Sequence, residues 1–530
     1  MISQFSLSTQ KGIPVKIWYD VSDLVGWKLP HLTGIQRTTV GILNGLVEQN
    51  GQVGLVRYDG KAGRFAAIGA SELPVNVRCH LRGFAAAESD MSSAESARPG
   101  PLPTAKAAAR PARLKLKLFK KGFFFGGIGE TEEIRNAFRQ FKTAARQLQK
   151  SIGHWAKRRL RRAARPGQQP SPPSHMRGAG QRGMPAFAGK DVAAFAAPGD
   201  VFMSIGATWV MPGHTEAVAS VRSQGVKVVR MIYDLIPTIK PQWLEPAHTK
   251  AITAWVRGVL RGSDCILTIS EFSRQEIERY CAECRFDVPP ITVVRLGDVM
   301  GESSGDATPS PLPRFAPTRP FFVCVSTLDV RKNHRLLYDA WTQLAARRGD
   351  ACPDLVCIGT PHLYVADLLR EIRQDRTVNR HIHVLHGIED CELEWYYKSC
   401  ESTIYPSKYE GWGLPVAESL GHGRMCLASN ATSIPEISSD LPEFFDPYDV
   451  HGLVALVERV LDDREWVHDR EETIRQNFQP TSWHETAAQV LAVIDAPADQ
   501  SSRSVWPRLS YGNETPGQDV FPGVRNLKAA

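Results

Sequence analysis

The stretch Thr403 to Glu436 reads TIYPSKYEGWGLPVAESLGHGRMCLASNATSIPE, and its local patterns give the clearest indication of the fold. A β-prone run at its start is followed by a glycine-bearing loop and then by a helical stretch that opens with Leu414 and Pro415. Proline suits the first turn of a helix, because the N–H that it lacks would have had no partner there. The apolar run Met425–Ala428 predicts the next strand. The stretch therefore predicts a compact βαβ unit whose helix begins at the carboxyl edge of a parallel sheet.

Two carboxylates flank the start of this helix. Glu410 and Glu418 have seven residues between them, so both side chains can point into one cleft. Gly411 and Gly413 let a bound group approach the main chain, and N–H groups near Gly413 and Leu414 could hold a diphosphate. Carboxylates accept strongly from paired hydroxyls, which predicts one Glu on a ribose and one on a hexose. The implied ligand is a nucleotide-sugar. An isolated pair of glutamates at this spacing can also be simply solvent-exposed at the start of a helix.

Four strings carry a family resemblance. EGWGLPVAES resembles the E-x7-E signature of the retaining glycosyltransferases of family 4, and YDLIP, SEFSRQEI and VVRLGD resemble the same family in the same order along the chain. The resemblance implies the GT-B fold, an α/β architecture in which two Rossmann-like domains face a cleft. It also implies that Glu418 contacts the nucleotide ribose and that Glu410 contacts the transferred sugar.

The length and composition of the chain fit two domains with further segments outside them. The chain has 530 residues, 42% of them hydrophobic, which exceeds one core. No apolar run approaches the ~20 residues of a membrane span, and the N-terminus lacks the apolar core of a signal peptide, so we expect a cytoplasmic protein. Ten cysteines fit reduced thiols. The net charge of +8 is local rather than general, since much of the excess lies between Lys106 and Arg182, and we expect no nucleic-acid partner.

Residues 1–307 are predicted to form the N-terminal, acceptor-binding Rossmann-like domain. The α/β rhythm is lost at about 85–197, where edges rich in Ala, Arg, Pro and Gly predict a basic, partly disordered insertion. Within it, Leu114–Phe125 mixes lysines with Leu and Phe, as in a surface anchor for anionic lipids. That anchor would hold the protein peripherally on the inner face of the cytoplasmic membrane. A locally packed charged helix, or nucleic-acid binding through charge alone, are the alternatives.

The second half alternates strands and helices regularly, which predicts a parallel sheet. A Pro-rich linker at 308–320 precedes a donor domain at 321–480. The resemblance implies that a last helix, at 481–496, crosses back onto the N-terminal domain. The polar, Pro-rich residues 497–530 predict a disordered tail.

Two cations follow the first strand of the donor domain. Arg331 and Lys332 stand where carboxyl strand ends should face the cleft, so they could neutralise a diphosphate. The resemblance assigns them to the donor diphosphate, with Thr327 at the usual place of a further Arg. It also implies that main chain at Ile388 contacts the nucleobase. The alternative for Arg331 and Lys332 is a solvated cap before a helix.

The N-terminal half supplies further cleft candidates. The resemblance places Gly34 opposite the donor phosphates, and Arg37 one turn later, unless Arg37 lies on a solvated helix face. Asp234 and Tyr233 are cleft-lining candidates, with Tyr233 where many relatives carry His. A strand-end Asp that caps a turn is the ordinary alternative for Asp234.

The resemblance implies a retaining hexosyltransferase, and the site candidates above fit that activity. It would move a hexose, first of all mannose from GDP-mannose, to a hydroxyl of a saccharide or lipid-linked saccharide in cell-surface polysaccharide synthesis, such as O-antigen or lipopolysaccharide. Glu410, Arg331 and Lys332 are the catalytic candidates. No D-x-D triplet occurs in the chain, so neither a metal ion nor another cofactor is expected. The alternatives are a catalytically silent sugar-nucleotide-binding scaffold and a GT-B sugar-nucleotide epimerase, whereas the absence of G-x-G-x-x-G disfavours an NAD enzyme.

Overall fold

The structure is a computed structural model, and it describes residues 16–28, 32–83, 190–194, 196–299 and 313–496. Several predictions fall wholly or partly outside these ranges, namely the basic stretch Leu114–Phe125, most of the insertion at 85–197, part of the linker at 308–320 and the tail at 497–530. In the ranges that are described, no helix is long and apolar enough to cross a membrane.

The first sheet and its helices form the N-terminal domain. Its strands are Ile17–Asp20 (β1), Val53–Asp59 (β2), Arg64–Ile68 (β3), Val201–Ser204 (β4), Lys227–Met231 (β5), Cys265–Thr268 (β6) and Ile291–Val293 (β7). Their order is β3-β2-β1-β4-β5-β6-β7, parallel throughout except where β3 pairs antiparallel with β2 at one edge. Its described helices are Ser22–Val25 (α1), Gly34–Asn50 (α2), Val75–Arg78 (α3), His214–Arg222 (α4), Ile236–Ile239 (α5), Pro246–Gly262 (α6) and Glu271–Cys284 (α7).

The second sheet and its helices form the C-terminal domain. Its strands are Phe321–Val325 (β8), Asp354–Ile358 (β9), Ile382–Leu385 (β10), Ser402–Tyr405 (β11), Cys426–Ser429 (β12) and Glu443–Phe445 (β13). All are parallel, in the order β10-β9-β8-β11-β12-β13. The helices that follow β8 are His334–Arg348 (α8), Ala366–Gln374 (α9), Asp390–Ser399 (α10), Leu414–Gly421 (α11), Val450–Asp462 (α12), Arg464–Asn477 (α13) and Trp483–Asp495 (α14).

The apolar runs explain the central strands. Every residue of β4 (VFMS) and β12 (CLAS) is buried, as expected for parallel strands covered on both faces. The predicted GT-B class, with two Rossmann-like α/β domains, is confirmed. The antiparallel strand β3 was not predicted, because it depends on pairing with β2 rather than on a pattern of its own.

The last described helix, α14, packs against α2 of the N-terminal domain. Trp483 lies so close to Gly41 and Gly297 that a Cβ built on these glycines would be 2.2 Å and 2.5 Å from the indole ring. Just before α14, the Thr481 N–H donates to the Asp298 carboxylate at 2.6 Å, and the Asp298 N–H donates to the Thr481 carbonyl at 3.0 Å. These contacts bind the end of the C-terminal domain to the first sheet's domain.

Candidate active site

The loop between β11 and α11 carries the site. Leu414 begins α11 and Pro415 lies in its first turn, as the sequence predicts. Gly413 precedes the helix, and a Cβ there would lie 3.0 Å from Ile437 Cδ1, so a larger side chain would be crowded. The first-turn N–H groups of α11 give this end of the helix a partial positive charge beside the loop that holds Glu410.

Glu410 is at the centre of a buried network. Its carboxylate pairs with Arg331 and with Lys332, whose Nζ lies 2.6 Å from Oε1. The Tyr405 hydroxyl donates to the same oxygen at 3.0 Å, as does the Ser407 hydroxyl. Burial by itself would raise the pKa of Glu410, but the charges of Arg331 and Lys332 outweigh it and lower that pKa to about 2. Glu410 is therefore ionised at neutral pH.

A tight turn after β8 presents the two cations. The Asp329 carboxylate caps this turn by accepting from the Arg331 N–H at 2.9 Å. Asn333 follows with a left-handed φ of 61°, and its side-chain amide donates to the Pro406 carbonyl at 3.0 Å. Burial lowers the pKa of Lys332, although Glu410 acts in the opposite direction. Both cations face the Glu410 carboxylate, and their charges also partly offset the rise that burial causes in the pKa of the nearby Asp234.

Glu418 joins the two domains. It lies inside α11 and is buried. Its Oε1 pairs with Nη1 of Arg37, from α2, at 3.1 Å, and its Oε2 accepts from the Tyr397 hydroxyl at 2.8 Å. Because α2 belongs to the N-terminal domain, the ion pair crosses the cleft. This contact places Arg37 against the C-terminal domain rather than on a solvated helix face.

The N-terminal domain also meets the loop at Gly411. A Cβ built on Gly411 would lie 2.9 Å from the Asp234 Cβ and 3.1 Å from the Tyr233 carbonyl oxygen. The Asp234 carboxylate accepts from the Ile236 N–H at 3.0 Å, which is the turn-capping role expected as its alternative. The Tyr233 hydroxyl donates to the Ile205 carbonyl at 3.0 Å, so its polar end is engaged within the N-terminal domain.

Three further residues were predicted for the site, and their positions differ. Gly34 begins α2 opposite α11, and a Cβ on it would be 3.9 Å from the Leu414 Cδ1. Thr327 is exposed after β8, and Ile388 packs into a separate apolar cluster with Phe315. Among the described residues, the side chains of Thr327 and Ile388 take no part in the hydrogen-bond network around Glu410 and Glu418.

Sequence reasoning missed three hydroxyl groups of this network. Tyr405 ends β11 and Ser407 begins the loop, and the short spacing of both to Glu410 was a readable signal. Tyr397 comes from α10 and reaches Glu418 only because α10 and α11 pack together, so no local pattern could have found it.

Positive charge at the site comes from side chains and the helix end. No group of three or more His, Cys, Asp or Glu in the described ranges is arranged to hold a metal ion. The Glu410 oxygens are taken up by cations and hydroxyls instead. The arrangement can bind an anion beside Arg331 and Lys332, and hydroxyl groups at Glu410 and Glu418.

Comparison with known proteins shows what the region around this site is similar to. The model of the family described as Glycosyl transferases group 1 matches residues 312–477. The O-antigen chain mannosyltransferase B of Escherichia coli is 29% identical over 212 residues, which cover 39% of this chain and 54% of that protein. The serotype-specific mannosyltransferase WbdA of Escherichia coli is 24% identical over 286 residues, 52% of this chain and 34% of that protein.

A solved structure is also similar. The crystal structure of TarM has a TM-score of 0.42 and 14% sequence identity, and the match covers 57% of this chain and 55% of TarM. The chain spans about half of the length of mannosyltransferase B and about a third of the length of WbdA. Residues 312–477, which contain the loop, both glutamates and both cations, are similar to the glycosyl transferases group 1 family.

Proposed function

We propose that the protein transfers a hexose from a nucleotide-diphosphate sugar to a hydroxyl group of a saccharide or lipid-linked saccharide. The observation that carries this proposal is the convergence of Arg331, Lys332 and Glu410 beside the start of α11, with Glu418 inside the same helix. Cations and a helix N-terminus suit a diphosphate, and carboxylates suit sugar hydroxyls.

Stabilisation of the leaving group is the main chemical task. As the bond between the sugar and the diphosphate breaks, negative charge grows on the diphosphate oxygens. Arg331, Lys332 and the first N–H groups of α11 would offset that charge. Both cations already face Glu410 in a buried setting, so they need little rearrangement when the donor arrives. The role of Glu410 is to hold them and to accept from a hydroxyl of the transferred sugar.

Glu418 would hold the ribose hydroxyls. Its two oxygens are engaged by Arg37 and Tyr397. A ribose that approaches Glu418 would compete with Arg37 for the same carboxylate. Donor binding would in this way act on a contact between the two domains.

Mannose, with GDP as the carrier, is the sugar that we propose first, because both curated relatives above are named as mannosyltransferases. Retention at the anomeric carbon, independence from metal ions and a role in O-antigen synthesis belong to the same proposal. The E-x7-E string supports retention, the two cations at the site support independence from metal ions, and the name of the first relative supports a role in O-antigen synthesis.

The test is a transfer assay with GDP-mannose, UDP-glucose, UDP-N-acetylglucosamine and ADP-glucose, each with mannosyl oligosaccharide acceptors and EDTA. We expect one donor to be consumed, with acceptor elongation by mass spectrometry and a retained anomer by NMR. Arg331→Ala should abolish transfer, whereas Arg335→Ala, which removes an exposed ion pair with Glu371, should not.

Two outcomes would replace the proposal. Nucleotide binding without transfer to any acceptor would favour the silent scaffold. Conversion of the donor sugar without an acceptor would favour the epimerase.

A further inference from the structure

The start of α7 is a docking point for the C-terminal domain. Glu436, which follows β12, places its Oε2 2.7 Å from the main-chain nitrogen of Glu271 and its Oε1 2.7 Å from that of Phe272. Ser270 caps the same helix by accepting from the Ser273 N–H at 3.0 Å. The first N–H groups of α7 are thus shared between the helix's own cap and a carboxylate from the other domain. Both the hydrogen bonds and the helix dipole favour a negative charge there.

A second segment of the C-terminal domain meets the same helix. The Tyr409 hydroxyl is hydrogen-bonded to Glu276 of α7. The Tyr409 ring lies 5.7 Å from the Phe272 ring and 6.1 Å from the Trp243 ring, centroid to centroid. One helix of the N-terminal domain therefore receives two segments of the C-terminal domain.

Both segments also hold Glu410. Tyr409 is its chain neighbour, and the Tyr409 carbonyl accepts from Arg331 Nη1 at 2.7 Å. The Glu410 N–H donates to Thr432 Oγ1 at 2.9 Å, and the Ser433 hydroxyl donates to the Glu410 carbonyl at 2.9 Å. Thr432 and Ser433 directly precede the turn that carries Glu436. The main chain of Glu410 is thus fixed by the two segments that dock on α7.

We propose that Glu436 is a positioning residue, which fixes the Glu410 loop in its working geometry only while the two domains are docked through α7. The inference rests on the proposed function for its effect on transfer, but the docking itself does not. Arg331, Lys332 and Glu418 all belong to the C-terminal domain, and Arg37 of the N-terminal domain competes with the ribose for Glu418, so loss of docking should not weaken nucleotide binding. Glu436 therefore governs turnover rather than nucleotide affinity.

The contact can be broken from either side. Glu436→Gln keeps the shape but removes the charge and one acceptor oxygen. Glu271→Pro removes one donor, and the first position of a helix tolerates proline. Ser270, before it, has φ −152° and ψ 157°, an extended conformation that is compatible with a following proline. Glu271→Ala is the matched control, because it removes the same side chain and keeps the N–H.

Hydrogen exchange, nucleotide titration and transfer kinetics test the proposal together. In Glu436→Gln, the amides at the start of α7 and in the 409–413 loop should exchange at least tenfold faster than in the wild type. Nucleotide Kd should stay within twofold, while kcat falls about tenfold. Glu271→Pro should reproduce this pattern and Glu271→Ala should not. The double variant should be no worse than either single one, because both act on one contact.

The opposite results would overturn the inference. Unchanged exchange in the 409–413 loop, equal losses of kcat and nucleotide affinity, or identical behaviour of Glu271→Pro and Glu271→Ala would each do so. If the wild type transfers no sugar at all, the proposed function fails, and the exchange data still decide whether Glu436 positions the loop.

Discussion

At the scale of the residue, Glu410 is the most constrained group of the site. Its carboxylate is buried against two cations and two hydroxyls. Its pKa of about 2 keeps it ionised across the physiological range, so the pH dependence of activity should come from other groups.

Replacing Glu410 by Gln should destabilise the protein by about 3 kcal/mol at neutral pH, because Arg331 and Lys332 lose their buried partner. The pKa of Glu410 is lower in the folded protein than in the unfolded protein, where it is about 4.3. The stability that ionised Glu410 contributes is therefore present above a pH of about 4.3 and is lost as the pH falls through about 2. Urea unfolding of both proteins at pH 7, 4 and 3 should show a difference that shrinks with acid. A difference that grows toward pH 3 would contradict this assignment.

The stability that Glu276 contributes should depend on pH in the opposite direction. Burial raises the pKa of Glu276 to about 7, and the nearby Asp234 carboxyl also raises it. The Tyr409 hydrogen bond and the charges of Arg279 and Lys240 act in the opposite direction and lower this pKa. Because the pKa of Glu276 is higher in the folded protein than in the unfolded protein, its contribution to the free energy of unfolding is complete below the unfolded-state pKa. This contribution is lost as the pH rises through about 7.

The unfolding free energy of the wild type minus that of Glu276→Gln should therefore fall between pH 5 and pH 8. Other carboxyl groups with a raised pKa, such as Asp298, contribute equally to both proteins, so their effect cancels in this difference. A constant difference across the range would show that Glu276 does not titrate in the folded protein.

At the scale of the element, α2 and α14 pack through glycines. Gly41→Ala would place a Cβ 2.2 Å from the Trp483 ring, so it should lower the unfolding free energy by about 1–3 kcal/mol. Gly262→Ala, at the end of α6, has no atom within 4 Å and is the matched control. It should be neutral or slightly stabilising, since Ala is the better helix former. Thermal unfolding of both variants checks this, and equal midpoints would contradict the packing argument.

The elements were also what the sequence predicted best. The run from Thr403 to Ala428 contained a strand, a proline-started helix and a second strand, all visible as local patterns. The antiparallel strand β3 and the reach of Tyr397 to Glu418 depend on partners far along the chain, so no local pattern contains them. The same holds for Glu436, whose partners lie 165 and 164 residues away.

At the scale of the whole molecule, the two domains meet closely at Gly411. An alanine there would press on the Asp234 Cβ and the Tyr233 carbonyl, so Gly411→Ala should oppose domain docking. Nucleotide affinity should be retained, and transfer should fall at least tenfold. Gly421→Ala, whose nearest atom is 3.7 Å away, is the control within α11. Equal transfer by both variants would show that the approach at Gly411 is unimportant for turnover.

In the proposed function, Glu418, Arg331 and Lys332 form a nucleotide-sugar donor site. Calorimetric titration of the folded protein with GDP, UDP, ADP and dTDP, with EDTA present, tests this most directly, with Glu418→Ala and Tyr397→Phe as comparisons. We expect that one nucleotide binds, that Glu418→Ala loses this binding, and that Tyr397→Phe largely keeps it. Binding of none of the four by a folded sample, or undiminished binding by Glu418→Ala, would contradict it.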